Sequence, residues 1–263
     1  NDTAQGNAEG KIAYNQLNAR NVLVLRDPTD TYSQSLANAF VSSFTKLGGK
    51  VVDTPANQFT EGQTTVDQYE QIVKTIALDN HADLIFLPGF DVDAIRLAHA
   101  VGQMSHIFSY WLTNTKILGG DGLDTTLILG NGVGDDATLA RDYPQDMTRL
   151  VFTSFANTAA WSSPQSQQSA FEADWNALYG TASSSNPIVP VPINTAIMVN
   201  DALGVMVYAL GQITGPITGV SLRDAISAIG TGNSKPYVGL SGQLAFGPDG
   251  NPLNKAVVLL TVV

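Results

Sequence analysis

Over residues 20–155 the apolar positions fall into two alternating rhythms. Short continuous runs at residues 22–25, 51–52, 82–87, 117–118 and 150–154 read as buried strands. Between them, apolar residues recur at helical spacing: Leu36, Ala37, Phe40, Phe44 and Leu47, then Tyr69, Ile72, Val73 and Ile76, then Ile95, Ala98 and Val101. Ala4, Ala8, Ile12, Ala13 and Leu17 predict a further helix upstream. Ser33 is a candidate N-cap for the second helix, Gly48 and Gly49 supply its C-cap signal, and Thr65 or Asp67 opens the third. Strands alternating with helices in this way predict an α/β fold, with a parallel sheet and right-handed crossovers.

Beyond residue 124 the pattern loosens. The glycines at 130, 132 and 134 lack both a preceding strand and the G-x-G-x-x-G spacing, so residues 130–136 read as a surface loop rather than a dinucleotide site. Residues 155–161 form an aromatic-bearing loop. A helix over 165–179 would turn Phe171, Trp175 and Leu178 to the core, and the Ser/Pro-rich stretch 181–192 is the best linker. A strongly apolar helix spans 193–213 and a shorter one 221–229. Strands at 240–246 and 256–262 are joined through a hairpin signal, Gly-Pro-Asp-Gly-Asn-Pro, at 247–252.

The order of elements has a geometric consequence. Loops 27–32, 88–91 and 119–122 each follow a strand of the predicted parallel sheet, so all three emerge at its carboxyl edge, where open α/β sheets bind ligands. They bring Tyr32, Phe90, Asp91 and Asp121 to that edge. Gly119, Gly120 and Gly122 surround Asp121 and permit close backbone approach, which suits an acid that must hold a cationic group such as an ammonium. Each residue also has an ordinary alternative. The glycine–aspartate stretch can be a tight turn, the aromatics can pack beneath a loop, and Asp27, Asp30, Asp91 and Asp93 can cap helices.

Composition narrows the classes. The 263 residues suffice for one large domain or two smaller ones, and no apolar run reaches the roughly 18 residues of a membrane span. Thirteen basic residues against 23 acidic ones, with no basic run, argue against a nucleic-acid partner. The chain has no cysteine, which excludes disulfides, a thiol nucleophile and thiolate metal sites. His81, His99 and His106 fit no zinc spacing, and there is neither a G-x-S-x-G elbow nor a Walker A loop. Tyr69, Trp111, Trp161 and Trp175 could stack on a sugar or base, with core packing the default. No catalytic residue, metal or cofactor is assigned, which favours binding over turnover.

Taken in series, these motifs resemble the second lobe of type I periplasmic binding proteins, and within them the branched-chain amino acid (leucine/isoleucine/valine) receptors of ABC importers. The resemblance rests on residues 21–32, on 82–90 with Leu-Pro-Gly-Phe, on Ile-Leu-Gly-Gly-Asp-Gly at 117–122, on 151–155 and on the closing stretch 239–252. It implies that Tyr32 contacts ligand, that Phe90 lines an interlobe cleft, and that Asp121 meets the ligand's α-ammonium; Asp91 is the least specific match. It further implies a non-catalytic extracytoplasmic receptor, periplasmic or extracellular and lipid-anchored in some members. Such a receptor binds a small amino acid or related acid and docks on an ABC permease. Residues 1–187 would form the second lobe, 188–238 a helical segment of the first, and 239–263 the return crossover. Most of the first lobe has no counterpart, so an N-terminal lobe or fragment is expected as a partner. Without its sheet the helix at 193–213 would expose an apolar face. The alternatives are an α/β enzyme using Asp91 and Asp121 as acid and base, or the ectodomain of a signalling receptor.

Overall fold

In a computed structural model, residues 2–52, 57–75, 82–108, 112–157, 166–180, 194–232, 234–253 and 255–263 are described. Ile76, His81, Trp111, Trp161 and the stretch 181–192 lie outside them. The chain divides into two compact units, residues 1–154 with 259–263, and residues 155–258.

The first unit opens with α1 (Asp2–Asn15), β1 (Asn21–Val24), α2 (Thr31–Lys46) and β2 (Lys50–Val52). It continues through α3 (Val66–Thr75), β3 (Leu84–Leu87), α4 (Asp91–Ser105) and β4 (Lys116–Gly119). Two short helices, α5 (Asp135–Asp142) and α6 (Pro144–Met147), precede β5 (Leu150–Ser154), and β8 (Val258–Thr261) completes a six-stranded sheet in the order β2-β1-β3-β4-β5-β8. The pairs β1–β2, β1–β3, β3–β4 and β4–β5 are all parallel, as the alternation of strand and helix requires.

Side chains alternate across the strands with period two and feed two cores. Leu23, Leu25, Ile85, Leu87, Ile117, Leu150 and Phe152 face a layer with Tyr69 and Val73 of α3 and Ile95, Ala98 and Val101 of α4. Val22, Val24, Leu84, Phe86, Leu118 and Val151 face Leu36, Ala37, Phe40 and Phe44 of α2 and Ala13 of α1. Phe40 stacks on Phe86 with ring centroids 3.9 Å apart. A sheet buried on both faces explains why its strands read as unbroken apolar runs.

Local details depart from expectation where side chains compete for the backbone. Asp30, not Ser33, caps α2, accepting from the amides of Tyr32 and Ser33, while the Ser33 hydroxyl accepts from the Asp27 amide. The predicted face of α1 is buried only at its C-terminal end: Ile12 and Ala13 turn inward and Leu17 packs against the core, but Ala4 is exposed, and upstream the buried positions are Gln5, Gly6, Glu9 and Gly10. Gly6 and Gly10 set this rotation. A Cβ at Gly6 would meet the Leu36 carbonyl at 2.6 Å, and one at Gly10 the Ser43 Cβ at 2.7 Å, so α1 seats its glycine side directly on α2. The glycine-rich stretch at 130–136 leads into a helix, with Gly134 at the N-cap of α5 and Asp135 and Asp136 in its first turn.

The second unit holds α7 (Ser166–Tyr179), α8 (Asn194–Leu210), α9 (Gly219–Ser227) and an antiparallel pair, β6 (Tyr237–Gly239) with β7 (Gly242–Leu244). The predicted pairing of 240–246 with 256–262 does not form. The turn after Gly247 closes on itself, with Gly247 N–H donating to Asn251 O and a single bridge between Phe246 and Pro252, while β8 joins the six-stranded sheet beside β5. Helix α7 buries no residue fully: Phe171 is half-buried against Ala156, Ile197 and Leu240, Leu178 is exposed, and Trp175 contacts Phe171 and Tyr179 along the helix. In α8 one face is buried, through Ile197, Asp201, Val205 and Ala209, while Val199, Leu203, Met206 and Val207 are exposed. Among the described residues no helix is long and apolar enough to cross a membrane.

Candidate functional site

Strand order fixes where a site can form. From β1 the chain passes to β2 on one side, and from β3 it passes to β4 on the other. The carboxyl ends of β1 and β3 therefore flank a topological switch point, the place where open α/β sheets leave a crevice for ligand. The loops after β1 and β3 carry Tyr32 and Phe90, and the turn after β4 carries Asp121.

The loop after β1 is held by its own acids. Asp27 is buried and accepts from the amides of Thr29 and Glu61 and from the Thr29 hydroxyl. Burial alone would push its carboxyl up, but those hydrogen bonds together outweigh burial and leave it below the usual range. With Asp30 capping α2, the first residues of that helix are fixed in place, Tyr32 among them. Asp93 is likewise structural: it accepts from the Tyr69 hydroxyl at 3.0 Å and the Gly62 amide at 3.0 Å. Near it, Arg96 grips Asp136 in a bidentate pair at 2.8 and 3.0 Å.

Three of the four residues singled out from sequence come together. The Tyr32 hydroxyl donates to Asp121 Oδ1 at 3.3 Å, and the Tyr32 and Phe90 rings lie 5.4 Å apart at 40°. Asp121 opens a single 3-10 turn, Asp121–Leu123, directly after β4. The glycines around it act as spacers. A Cβ on Gly120 would strike the Tyr32 hydroxyl, and one on Gly122 would lie 3.1 Å from the Phe90 ring and 2.8 Å from the Gly89 carbonyl. Burial first, and then the negative charges of Asp121 and Glu9, hold the Tyr32 phenol far above its ordinary pKa, so it remains a donor. Asp91 is engaged elsewhere. Its Oδ2 accepts from the Thr125 hydroxyl at 2.7 Å and its Oδ1 from the Val92 amide at 2.8 Å, which ties the start of α4 to the turn beyond Asp121.

The structure adds residues that sequence reasoning passed over. Glu9 and Gln5 lie one turn apart on the buried face of α1. Thr153, near the carboxyl end of β5, donates its hydroxyl to Glu9 Oε1 at 2.6 Å and accepts from Gln5 Nε2 at 3.0 Å. A Cβ on Gly120 would also lie 3.1 Å from Gln5 Nε2, so this group adjoins the Asp121 turn. Glu9 is fully buried, and its Oε2 has no hydrogen-bond partner among the described residues. Burial, countered by the Thr153 bond and reinforced by the charge of Asp121, raises its pKa from 4.5 to about 8. The signal was present in the sequence: Gly6 and Gly10, four apart inside a helix, mark the face that packs, and Gln5 and Glu9 sit beside them. Asp124 completes the acidic rim, accepting from the Ser154 hydroxyl at 2.8 Å.

Chemically, this rim offers an acid already accepting from one phenol, two aromatic walls and a second, desolvated acid. Among the described residues no cluster of three His, Cys, Asp or Glu could hold a metal ion.

Comparison with known proteins gives the fold. No family model matches the chain, and no curated protein matches it by sequence. Among solved structures it is similar to a leucine-binding protein, LivK, from Thermotoga maritima. The TM-score is 0.76 at 22% identity, covering 99% of this chain and 62% of that one. It is also similar to the branched-chain amino acid transporter substrate-binding protein LivJ from Streptococcus pneumoniae, solved with isoleucine, at a TM-score of 0.70 and 20% identity over 99% and 62%. A third is a solute-binding protein of an ABC transporter from Rhodopseudomonas palustris BisB5, solved with 3,4-dihydroxybenzoic acid; its TM-score is 0.69 at 14% identity over 99% and 61%. This chain spans about 62% of the length of the structures it matches. At these identities the likeness is one of fold.

Proposed function

From the type I periplasmic-binding-protein fold of this chain, we propose that it is the ligand-binding portion of an extracytoplasmic solute receptor serving an ABC importer. Its ligand is a small amino acid or related carboxylic acid. The observation that carries this reading is the Tyr32–Asp121 hydrogen bond beside Phe90 at the switch point. A carboxylate oriented by a phenol is a suitable acceptor for an ammonium, and such a charge-assisted bond is about twice as strong as a neutral one. Tyr32 and Phe90 supply the apolar wall for the rest of a small ligand. The aromatic acid bound by the Rhodopseudomonas protein lacks an amine, so an acid at position 121 favours a different ligand class here.

Isothermal titration of the protein with L-leucine, L-isoleucine and 3,4-dihydroxybenzoate tests the reading. Binding of an amino acid in preference to the benzoate, lost in Asp121→Asn, supports it. Preference for the benzoate, or unchanged affinity in the variant, removes Asp121 from the site.

The exposed apolar face of α8, with Val199, Leu203, Met206 and Val207, supports a second element of the same proposal. Polypeptide from outside this sequence, a first lobe, covers that face and supplies groups for the ligand carboxylate. The reading frame upstream of residue 1 tests it: an α/β lobe encoded there supports the proposal, and an unrelated domain or a stop codon overturns it.

A further inference from the structure

We propose that Glu9 is the second acid of this site, and that an ammonium held by Asp121 also engages Glu9 and expels its proton. The inference rests on the amine-binding reading above and adds to it a residue and a proton.

Geometry places the acid. Thr153 in β5, which fixes Glu9 Oε1, is one residue beyond Phe152, the register partner of Gly119 in β4; Asp121 follows Gly119 by two residues. The two acids therefore reach the same rim from neighbouring strands, one directly and one through a threonine. Gln5 holds Thr153 from the other side, so the hydroxyl has its acceptor and its donor fixed. That leaves Glu9 Oε2, fully buried, as the orphan of an otherwise satisfied network. A buried polar atom without a partner is costly, and native proteins keep few of them. An ammonium beside Asp121 would satisfy it.

The groups facing Glu9 are few. Thr153 comes from β5, Asp121 from the turn after β4, Tyr32 from α2, and Gln5 from its own helix. Asp121 is the charged group that acts on it, and it acts to retain the proton. With a pKa raised to about 8, the Glu9 carboxyl is protonated at pH 7. A cation inserted between the two acids reverses that balance. The ammonium keeps its three hydrogens, the Glu9 O–H bond breaks, its proton passes to solvent, and the resulting carboxylate accepts from the ammonium.

The test is titration calorimetry of the protein with the common L-amino acids at pH 7, in phosphate and in Tris, whose ionisation heats differ. The expected result is a buffer-dependent heat equal to release of about one proton per ligand, with affinity rising about tenfold per pH unit between roughly pH 6 and 7.5. In Glu9→Gln the ligand binds with no buffer dependence. Infrared difference spectra need no variant: the protonated-carboxyl C=O band must fall when ligand is added. Binding with no proton release and no change in that band overturns the assignment of Glu9 while leaving Asp121 as the amine site. Failure of every amino acid to bind overturns both.

Discussion

Tyr32 donates its hydroxyl to Asp121 at 3.3 Å across 89 positions of sequence, joining the start of α2 to the turn that follows β4. The bond makes the two loops one object. A phenol held as a permanent donor fixes the orientation in which Asp121 presents its carboxylate. The following expectations depend on that arrangement.

Replacing Tyr32 with Phe removes the donor and keeps the ring against Phe90. A hydrogen bond to a charged acceptor contributes about 1.5–3 kcal/mol, part of which solvent recovers at this half-buried position. Amino acid affinity should fall about tenfold by calorimetry, with the melting temperature nearly unchanged. A large loss of stability with intact affinity would make the bond a structural tie alone.

Asp121→Asn keeps shape and removes charge. Loss of one partner of a hydrogen-bonded charge pair costs about 2–5 kcal/mol, so amine ligands should bind at least thirtyfold more weakly. Phe90→Ala should weaken binding of large apolar amino acids more than that of glycine or alanine, as competition titrations would show.

Gly120 has φ −88° and ψ −165°, a conformation open to any residue, so Gly120→Ala carries no backbone strain. Its Cβ would nevertheless strike the Tyr32 hydroxyl and lie 3.0 Å from Leu36. Overpacking of this kind costs roughly 1–3 kcal/mol. Chemical denaturation should register that loss, and ligand affinity should fall with it because Tyr32 must move.

Glu9 predicts an unusual pH profile for folding. Its folded pKa of about 8 lies above the unfolded value near 4.5. The native state therefore binds the extra proton between those values, and stability falls as pH rises through that window. The contribution is fully present below about pH 4.5 and is lost as pH passes 8. Its span is on the order of 4–5 kcal/mol at most. Denaturation of Glu9→Gln from pH 5 to 9 should show a flatter profile than the wild type and greater relative stability at pH 9.

On α8, Leu203→Glu puts a charge on an exposed apolar face without touching Ile197, Val205 or Ala209. In the polypeptide that carries the proposed first lobe, chemical denaturation should show a loss of stability, while the circular dichroism of the present chain stays unchanged.

The parallel sheet was legible because its strands, buried on both faces, read as plain apolar runs, and their alternation with helices set the order of loops along one edge. That order was enough to bring Tyr32, Phe90 and Asp121 together from sequence alone. Asp91 resembled them by position, yet the Thr125 hydroxyl and the Val92 amide engage both its oxygens. Glu9 was missed because apolar spacing, correct at Ile12 and Ala13, favoured Ala4 and Ala8 in the first turns of α1, where close packing through Gly6 and Gly10 buries Gln5 and Glu9 instead. The terminal hairpin misled for a similar reason: local turn chemistry at 247–252 was correct, but strand pairing is settled by what lies beside each strand, and β8 lies beside β5.

The seat of α1 on α2 makes positions 6 and 10 the set-screws that hold Glu9 in place. Both face α2 rather than the Asp121 turn, yet one methyl group at either would act as a wedge, lifting the helix and withdrawing the acid it carries. In the receptor proposed above, variation that retunes the choice between solutes of different charge can therefore arise on the reverse side of α1, from changes in bulk alone.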